Sequence, residues 1–260
     1  MTDHLDRRAD PIFVGYLPTP PRDRSFLLRV VPLLFVIAAV VAAGLSADQR
    51  TPGDGRWDLE NTLVLEGDLV PGAYPLLRVA DKTAVGGIRC WLLVEEGKFG
   101  AAGRVASLAP DGPVSVVARG HLIERDGRHM LELAGADALS IVGPSTLPPA
   151  TVTDLGEVSL RGEIVDGKCW LGVMKPGAGK THKACATLCI DGGVPPLIVW
   201  LDDDEVRHRS LVVGTDGDSV VPRFREVVAD PVVLTGRLER RDDLEVLRLD
   251  PGPDAVTRAR

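Results

Sequence analysis

Apolar and polar positions divide the chain into three regimes. From Val30 to Leu45 the run VVPLLFVIAAVVAAGL carries no charge, and with Phe26–Leu28 before it and Ser46–Ala47 after it the stretch reaches the ~20 residues needed to cross a bilayer. Arg29 sits one turn inside the span, where its stem can snorkel to the headgroups, and Pro32 lies in the first turn, where a missing amide donor costs least. Beyond Asp58 the pattern turns to short aliphatic and β-branched runs broken by Gly, Pro and Asp: Thr62–Val70, Val114–Ile123, His129–Leu133, Val158–Val165 and Val233–Arg240. Runs of this kind predict strands. Asp126-Gly127 between two of them predicts a hairpin, because an Asp-Gly turn supplies the positive φ that matches strand twist. The third regime, GKCWLGVMKPGAGKTHKACATLCIDGGVPP over residues 167–196, interrupts the strand pattern with Gly, Cys and one His.

The strand runs repeat. VSLRGEIV at 158–165 echoes VLEGDLV at 64–70, and VLTGRLER at 233–240 echoes VARGHLIE at 117–124. Gly67 and Gly120 are 53 positions apart, Gly162 and Gly236 are 74, so the second copy holds 21 additional residues, and the Cys-rich segment lies inside that enlarged interval. The predicted organisation is a tail 1–25, an anchor 26–47, a linker 48–57, a first β domain 58–143, a Pro-rich linker 144–155, a second β domain 156–251 and a tail 252–260. A glycine in the first strand of each copy, where a small barrel must bend, and a closing hairpin resemble five-stranded OB-type barrels; a β-sandwich is the rival architecture. The expected class is mainly β, one transmembrane helix followed by two related small barrels or sandwiches.

Charge orients the anchor. Arg7, Arg8, Arg22, Arg24 and Arg29 precede the span, and only Arg50 and Arg56 follow closely, which predicts a cytoplasmic amino terminus with the β domains in the periplasm or cell exterior. A cleaved signal peptide is the alternative, but a tail of this length and the long apolar run favour a retained anchor. The whole chain of 260 residues has a net charge of -7 and a pI near 5.3. With five Arg and four Asp in residues 1–47, the remainder carries 25 basic and 33 acidic residues, net -8. Such a surface argues against nucleic acid and against lying flat on anionic lipid.

The chemistry concentrates in residues 167–196. Gly179-Lys180-Thr181 ends like a phosphate loop, but Met174 stands where the first Gly is required, so no nucleotide is expected. Thr181 can cap a helix over His182–Cys189 ended by Gly192-Gly193, which puts His182, Cys185 and Cys189 on one face. Cys169, expected on the preceding strand, would complete a Cys3His set suited to copper, zinc or an iron-sulfur centre, with Met174 a weak axial ligand if the metal is copper. The spacing of Cys185 and Cys189 resembles that of the dinuclear copper subunit of terminal oxidases and of thioredoxin-type copper-delivery proteins. The resemblance covers these two residues and implies copper; those proteins also place a ligand His at set positions, and the next His here is His208.

Two readings follow. One is a membrane-anchored accessory or electron-transfer subunit of a membrane oxidoreductase assembly, holding a metal or cycling thiols. The other is a non-catalytic module that docks on a membrane partner and is stapled by disulfides, for instance Cys185–Cys189 with Cys90–Cys169. The tripeptide Cys-Trp-Leu occurs at both 90–92 and 169–171, which suits structural thiols beside core tryptophans. Asp202–Glu205 lacks the alternation of a calcium loop and predicts a solvated turn. No hydrolase motif is present.

Overall fold

The computed structural model describes residues 19–48, 55–172 and 174–259. Arg7, Arg8 and residues 49–54 of the expected linker lie outside the described residues. Residues 1–52 form one unit and residues 53–260 a second. In the first, helix α1 (Pro21–Asp48) contains a stretch, Asp23–Ser46, of mean hydropathy 2.6. It is long and apolar enough to span a membrane, a character it shares with signal sequences.

The second unit is two closed five-stranded barrels. In the first barrel β1 (Arg56–Val70), β2 (Leu76–Ala80) and β3 (Ile88–Val94) lead through helix α2 (Ala102–Leu108) to β4 (Val114–Arg125), β5 (Arg128–Leu133) and β6 (Leu139–Pro144). The order β1-β2-β3-β5-β4 closes by pairing β4 with β1, and β6 adds to the outside of β4. The second barrel is built from β7 (Val152–Asp166), β8 (Pro196–Leu201), β9 (Arg207–Val213), β10 (Pro231–Arg241), β11 (Leu244–Leu249) and β12 (Val256–Arg258), with α5 (Val221–Phe224) before β10. It repeats the order as β7-β8-β9-β11-β10 and closes β10 on β7. The architecture is therefore the pair of barrels expected, and the sandwich alternative falls.

The repeat holds at the level of register. Gly67 faces Val116 and Leu63 faces Gly120 in the first barrel; Gly162 faces Val232 and Val158 faces Gly236 in the second. All four glycines occupy positions where the next strand crowds the backbone. A Cβ on Gly67 or Gly162 would lie 2.3 Å from the carbonyl oxygen of Arg78 or Val199, and one on Gly120 or Gly236 would lie 2.3 or 2.1 Å from that of Glu132 or Arg248. Only residues without a side chain let the strands coil this tightly.

Each barrel has its own apolar interior, one around Leu69, Leu93 and Leu131, the other around Ile198, Phe224 and Leu247. A third core joins them, with Leu92, Ile123 and Met130 meeting Trp170, Leu171, Leu197 and Val246. The hairpins add a reciprocal contact. The β10–β11 turn reaches β3, where Asp243 accepts from the backbone amide of Cys90 at 2.8 Å; the β4–β5 turn reaches β9, where Asp126 accepts from Arg209 at 3.2 Å. By register Arg209 is the counterpart of Cys90 and Asp242 of Asp126, and the Cys90 thiol lies 3.8 Å from Asp242, so each barrel's hairpin aspartate meets the equivalent position of the other barrel. A buried ion pair, Arg78 with Asp242 at 2.8 Å, reinforces one side.

Cys90 thus answers to Arg209, and the second Cys-Trp-Leu lies outside the barrel strands, in helix α3 (Gly167–Leu171). The two tripeptides are not equivalent positions. The extra length of the second copy also has a definite place. Residues 71–75 connect β1 to β2, whereas the matching connection between β7 and β8 runs over 167–195 and contains α3 and α4 (Lys183–Asp191).

Gly162→Ala should lower the unfolding free energy by about 1–3 kcal/mol, since its Cβ meets a strand carbonyl that cannot retreat without breaking the barrel. Gly143→Ala, where nothing lies within 4 Å of the added carbon, should be near neutral. Urea unfolding of both variants checks the pair; equal stabilities would refute the packing argument.

Candidate metal centre

The β7–β8 connection is built around one carboxylate. Asp166 ends β7 fully buried, and its Oδ1 accepts the backbone amide of Cys169 at 2.8 Å, capping α3. This cap explains why Cys169 lies on a short helix and not on the preceding strand as expected. The other oxygen of Asp166 lies 3.0 Å from Nε2 of His182, raising the imidazole's pKa above its ordinary value. Residues 174–180 then fold back over α3, with Gly177 packed so close that a Cβ would touch the Cys169 carbonyl and the Trp170 Cα, each at 3.1 Å. Chain direction reverses here, and α4 returns with its cysteines toward Cys169.

His182 occupies the N-cap of α4 with no side-chain cap, so Thr181 does not play the capping role expected of it. The helix begins one residue later than expected and runs on to Asp191. At its far end Gly192 and Gly193 do more than stop the helix. The Gly192 carbonyl accepts from Gly100 at 2.9 Å, and a Cβ on Gly192 would lie 1.9 Å from the Lys98 carbonyl oxygen. The connection is therefore seated against residues 95–100 of the first barrel.

Cys169, Cys185 and Cys189 are brought together, their Sγ atoms all within 4.8 Å of one another. Cys169 and Cys185 are 3.9 Å apart, and all four cysteines of the chain are free thiols. Asp166, Cys169 and His182 form a second group within the same limit, so Cys169 is common to both. Met174 follows in the loop after α3 with an exposed side chain. Cys90, held at the hairpin contact, is pushed up to about 12 by burial and by the carboxylates of Asp243 and Asp242.

Charge inside the group is uneven. The Cys169 thiol is raised and Cys189 is drawn down to about 7, the hydrogen bond between them being the main cause, so Cys169 keeps the proton and Cys189 is the better thiolate. Lys98 of the first barrel adds to this. Its Nζ donates to Cys185 Sγ at 2.8 Å and to Cys189 Sγ at 3.6 Å, and the contact with Cys185 raises the ammonium's own pKa.

Three residues of this site escape a motif reading. Asp166 and Lys98 carry no local signal, and Lys168 looks like an ordinary surface lysine next to a cysteine. Yet Lys168 is buried, with Nζ 2.5 Å from Glu132 Oε1, 2.7 Å from the Glu95 carbonyl and 2.8 Å from the Gly97 carbonyl. Glu132 also accepts from Trp57 Nε1 at 3.0 Å. Trp57 is in this sense part of the support of the site.

Comparison with protein-family models, curated proteins and solved structures gives no match. The site must therefore be read from its own chemistry.

Lys168→Met should cost about 3–5 kcal/mol of stability, because it leaves the Glu132 carboxylate buried without its cation. Adding Glu132→Gln should recover part of that loss, as a neutral amide needs no counter-charge. Denaturant unfolding of the single and double variants measures both; a loss below about 1 kcal/mol, the range of an exposed pair, would contradict the assignment.

Proposed function

We propose that the protein is a membrane-anchored carrier of a thiolate-rich metal centre, acting as an accessory or electron-transfer subunit of a membrane oxidoreductase assembly. The observation that carries this reading is the convergence of Cys169, Cys185 and Cys189 within 4.8 Å, beside a histidine whose ring is held by a buried carboxylate. Two sulfurs on one tetrahedral ion at about 2.3 Å are about 3.8 Å apart, which the 3.9 Å between Cys169 and Cys185 already matches. A carboxylate fixing one nitrogen of a histidine is the usual outer support of a ligand imidazole. Charge fits as well: three thiolates on a divalent ion leave one negative charge, and Lys98 supplies the balancing positive one. Copper, zinc and an iron-sulfur centre all suit the donor set, and Met174 is kept as an axial ligand for copper alone.

The setting is proposed from the sequence. The α1 segment is the anchor, its amino terminus cytoplasmic and the barrels outside, with a membrane protein complex as partner. A second reading, thiol exchange without metal, draws support from the lowered Cys189 thiol and the Lys98 contact. The stapled-module alternative has less to support it, since the barrels are joined by a shared apolar core and buried ion pairs.

Full-length protein, reduced and kept under argon in detergent, should bind one equivalent of zinc or copper(I), or assemble a cluster from iron and sulfide. Cys169→Ser, Cys185→Ser and Cys189→Ser should each abolish stoichiometric binding, and Asp166→Asn should weaken it about 10- to 100-fold through the histidine. Retention of no metal by the reduced protein would overturn the metal reading in favour of thiol exchange.

A further inference from the structure

Lys98 stands closer to Cys185 than Cys169 does. Its Nζ is 2.8 Å from Cys185 Sγ, inside the van der Waals separation of nitrogen and sulfur, whereas Cys169 Sγ is 3.9 Å away. A disulfide would need the two sulfurs to close most of that gap. A single oxygen atom between nitrogen and sulfur would need almost no movement. Access is also selective: Cys169 and Cys189 are buried, while Cys185 and Lys98 are both half-buried. We propose that Lys98 and Cys185 are a covalent modification site, joined by dioxygen into a nitrogen-oxygen-sulfur crosslink between the two barrels.

The chemistry balances with dioxygen as the oxidant. Within the ammonium-thiolate pair one proton first passes from nitrogen to sulfur, leaving amine and thiol. The amine then gives up one N–H hydrogen and the thiol its S–H hydrogen. One oxygen atom forms an N–O and an O–S bond as the O–O bond breaks; the other leaves as water with the two hydrogens. Nitrogen and sulfur each lose two electrons, and dioxygen gains four. The ammonium-thiolate attraction holds the partners in place beforehand, which an encounter between free side chains would lack. A two-electron reductant per bridging bond, such as excess dithiol, returns amine and thiol and releases the oxygen as water.

The crosslink does not depend on the metal reading. It competes with it, because a sulfur bound to oxygen is no longer a ligand thiolate. The consequence is a switch in which oxidation removes Cys185 from the site and ties residues 95–100 of the first barrel to α4 of the second.

The test uses full-length, metal-free protein in detergent, reduced and then split between air and argon. Intact mass in air should rise by one oxygen less two hydrogens, stay unchanged under argon, and return on treatment with dithiol. Peptide mapping should find the gain on a crosslinked pair carrying Lys98 and Cys185. Lys98→Arg, which keeps the charge, and Cys185→Ser should both abolish it, while Cys169→Ser should retain it. Loss of two hydrogens that survives Lys98→Arg and disappears in Cys169→Ser would mean a disulfide and overturn the proposal. So would a whole added oxygen on Cys185 alone, or no mass change in air. Metal stoichiometry is measured separately under argon, so failure of the crosslink and failure of the metal centre are told apart.

Discussion

The buried ammonium of Lys168 is the contact on which the site depends. It leaves the inserted helix α3 and enters the first barrel, where Glu132 supplies its counter-charge and the carbonyls of Glu95 and Gly97 take its remaining hydrogens. A lysine taken out of water in this way is tolerable only when every donor is satisfied. Two things follow from that requirement. Helix α3 cannot shift, so Cys169, one residue along, is fixed. The segment 95–100 is pinned by its own backbone, so Lys98 is delivered to Cys185 and Cys189 from the opposite side.

Duplication supplies the frame for this arrangement. Both barrels close in the same register around crowding glycines, and their hairpin turns make matching contacts, Asp242 on Cys90 and Asp126 on Arg209. Of the two matching connections, 71–75 in the first barrel and 167–195 in the second, only the second carries an insertion. It brings in Trp170 and Leu171 as apolar packing, which join the shared core. It also brings in the three cysteines, of which Cys169 and Cys189 lie in that core, and gathers them beside Asp166. Stability and chemistry are therefore carried by the same inserted connection, with Trp170 and Leu171 in the core and Cys185 and Cys189 meeting Lys98.

Much of this was legible beforehand because it rests on local rules. Alternating β-branched runs, the Asp126-Gly127 turn and paired glycines report barrel strands through steric and twist constraints that act within a few residues. The spacing of Cys185 and Cys189 similarly reports one face of a helix. What stayed hidden is contact at a distance in sequence. Nothing near Lys98 announces two thiols 87 and 91 positions away, and nothing near Lys168 announces Glu132. Sequence pattern puts Cys169 on a strand because the Asp166 cap that turns the chain into α3 is a single carboxylate, indistinguishable by pattern from any other aspartate. The Cys-Trp-Leu tripeptides misled for the opposite reason: similarity of letters carried no similarity of position, and Cys90 corresponds to an arginine.

The central claim is that three cysteine sulfurs separated in sequence act together as one donor set. X-ray absorption at the metal edge of zinc-loaded, reduced full-length protein measures that directly. The account predicts three sulfur neighbours at about 2.3 Å and one nitrogen at about 2.0–2.1 Å. A first shell of oxygen and nitrogen alone, with no sulfur scattering, would contradict it.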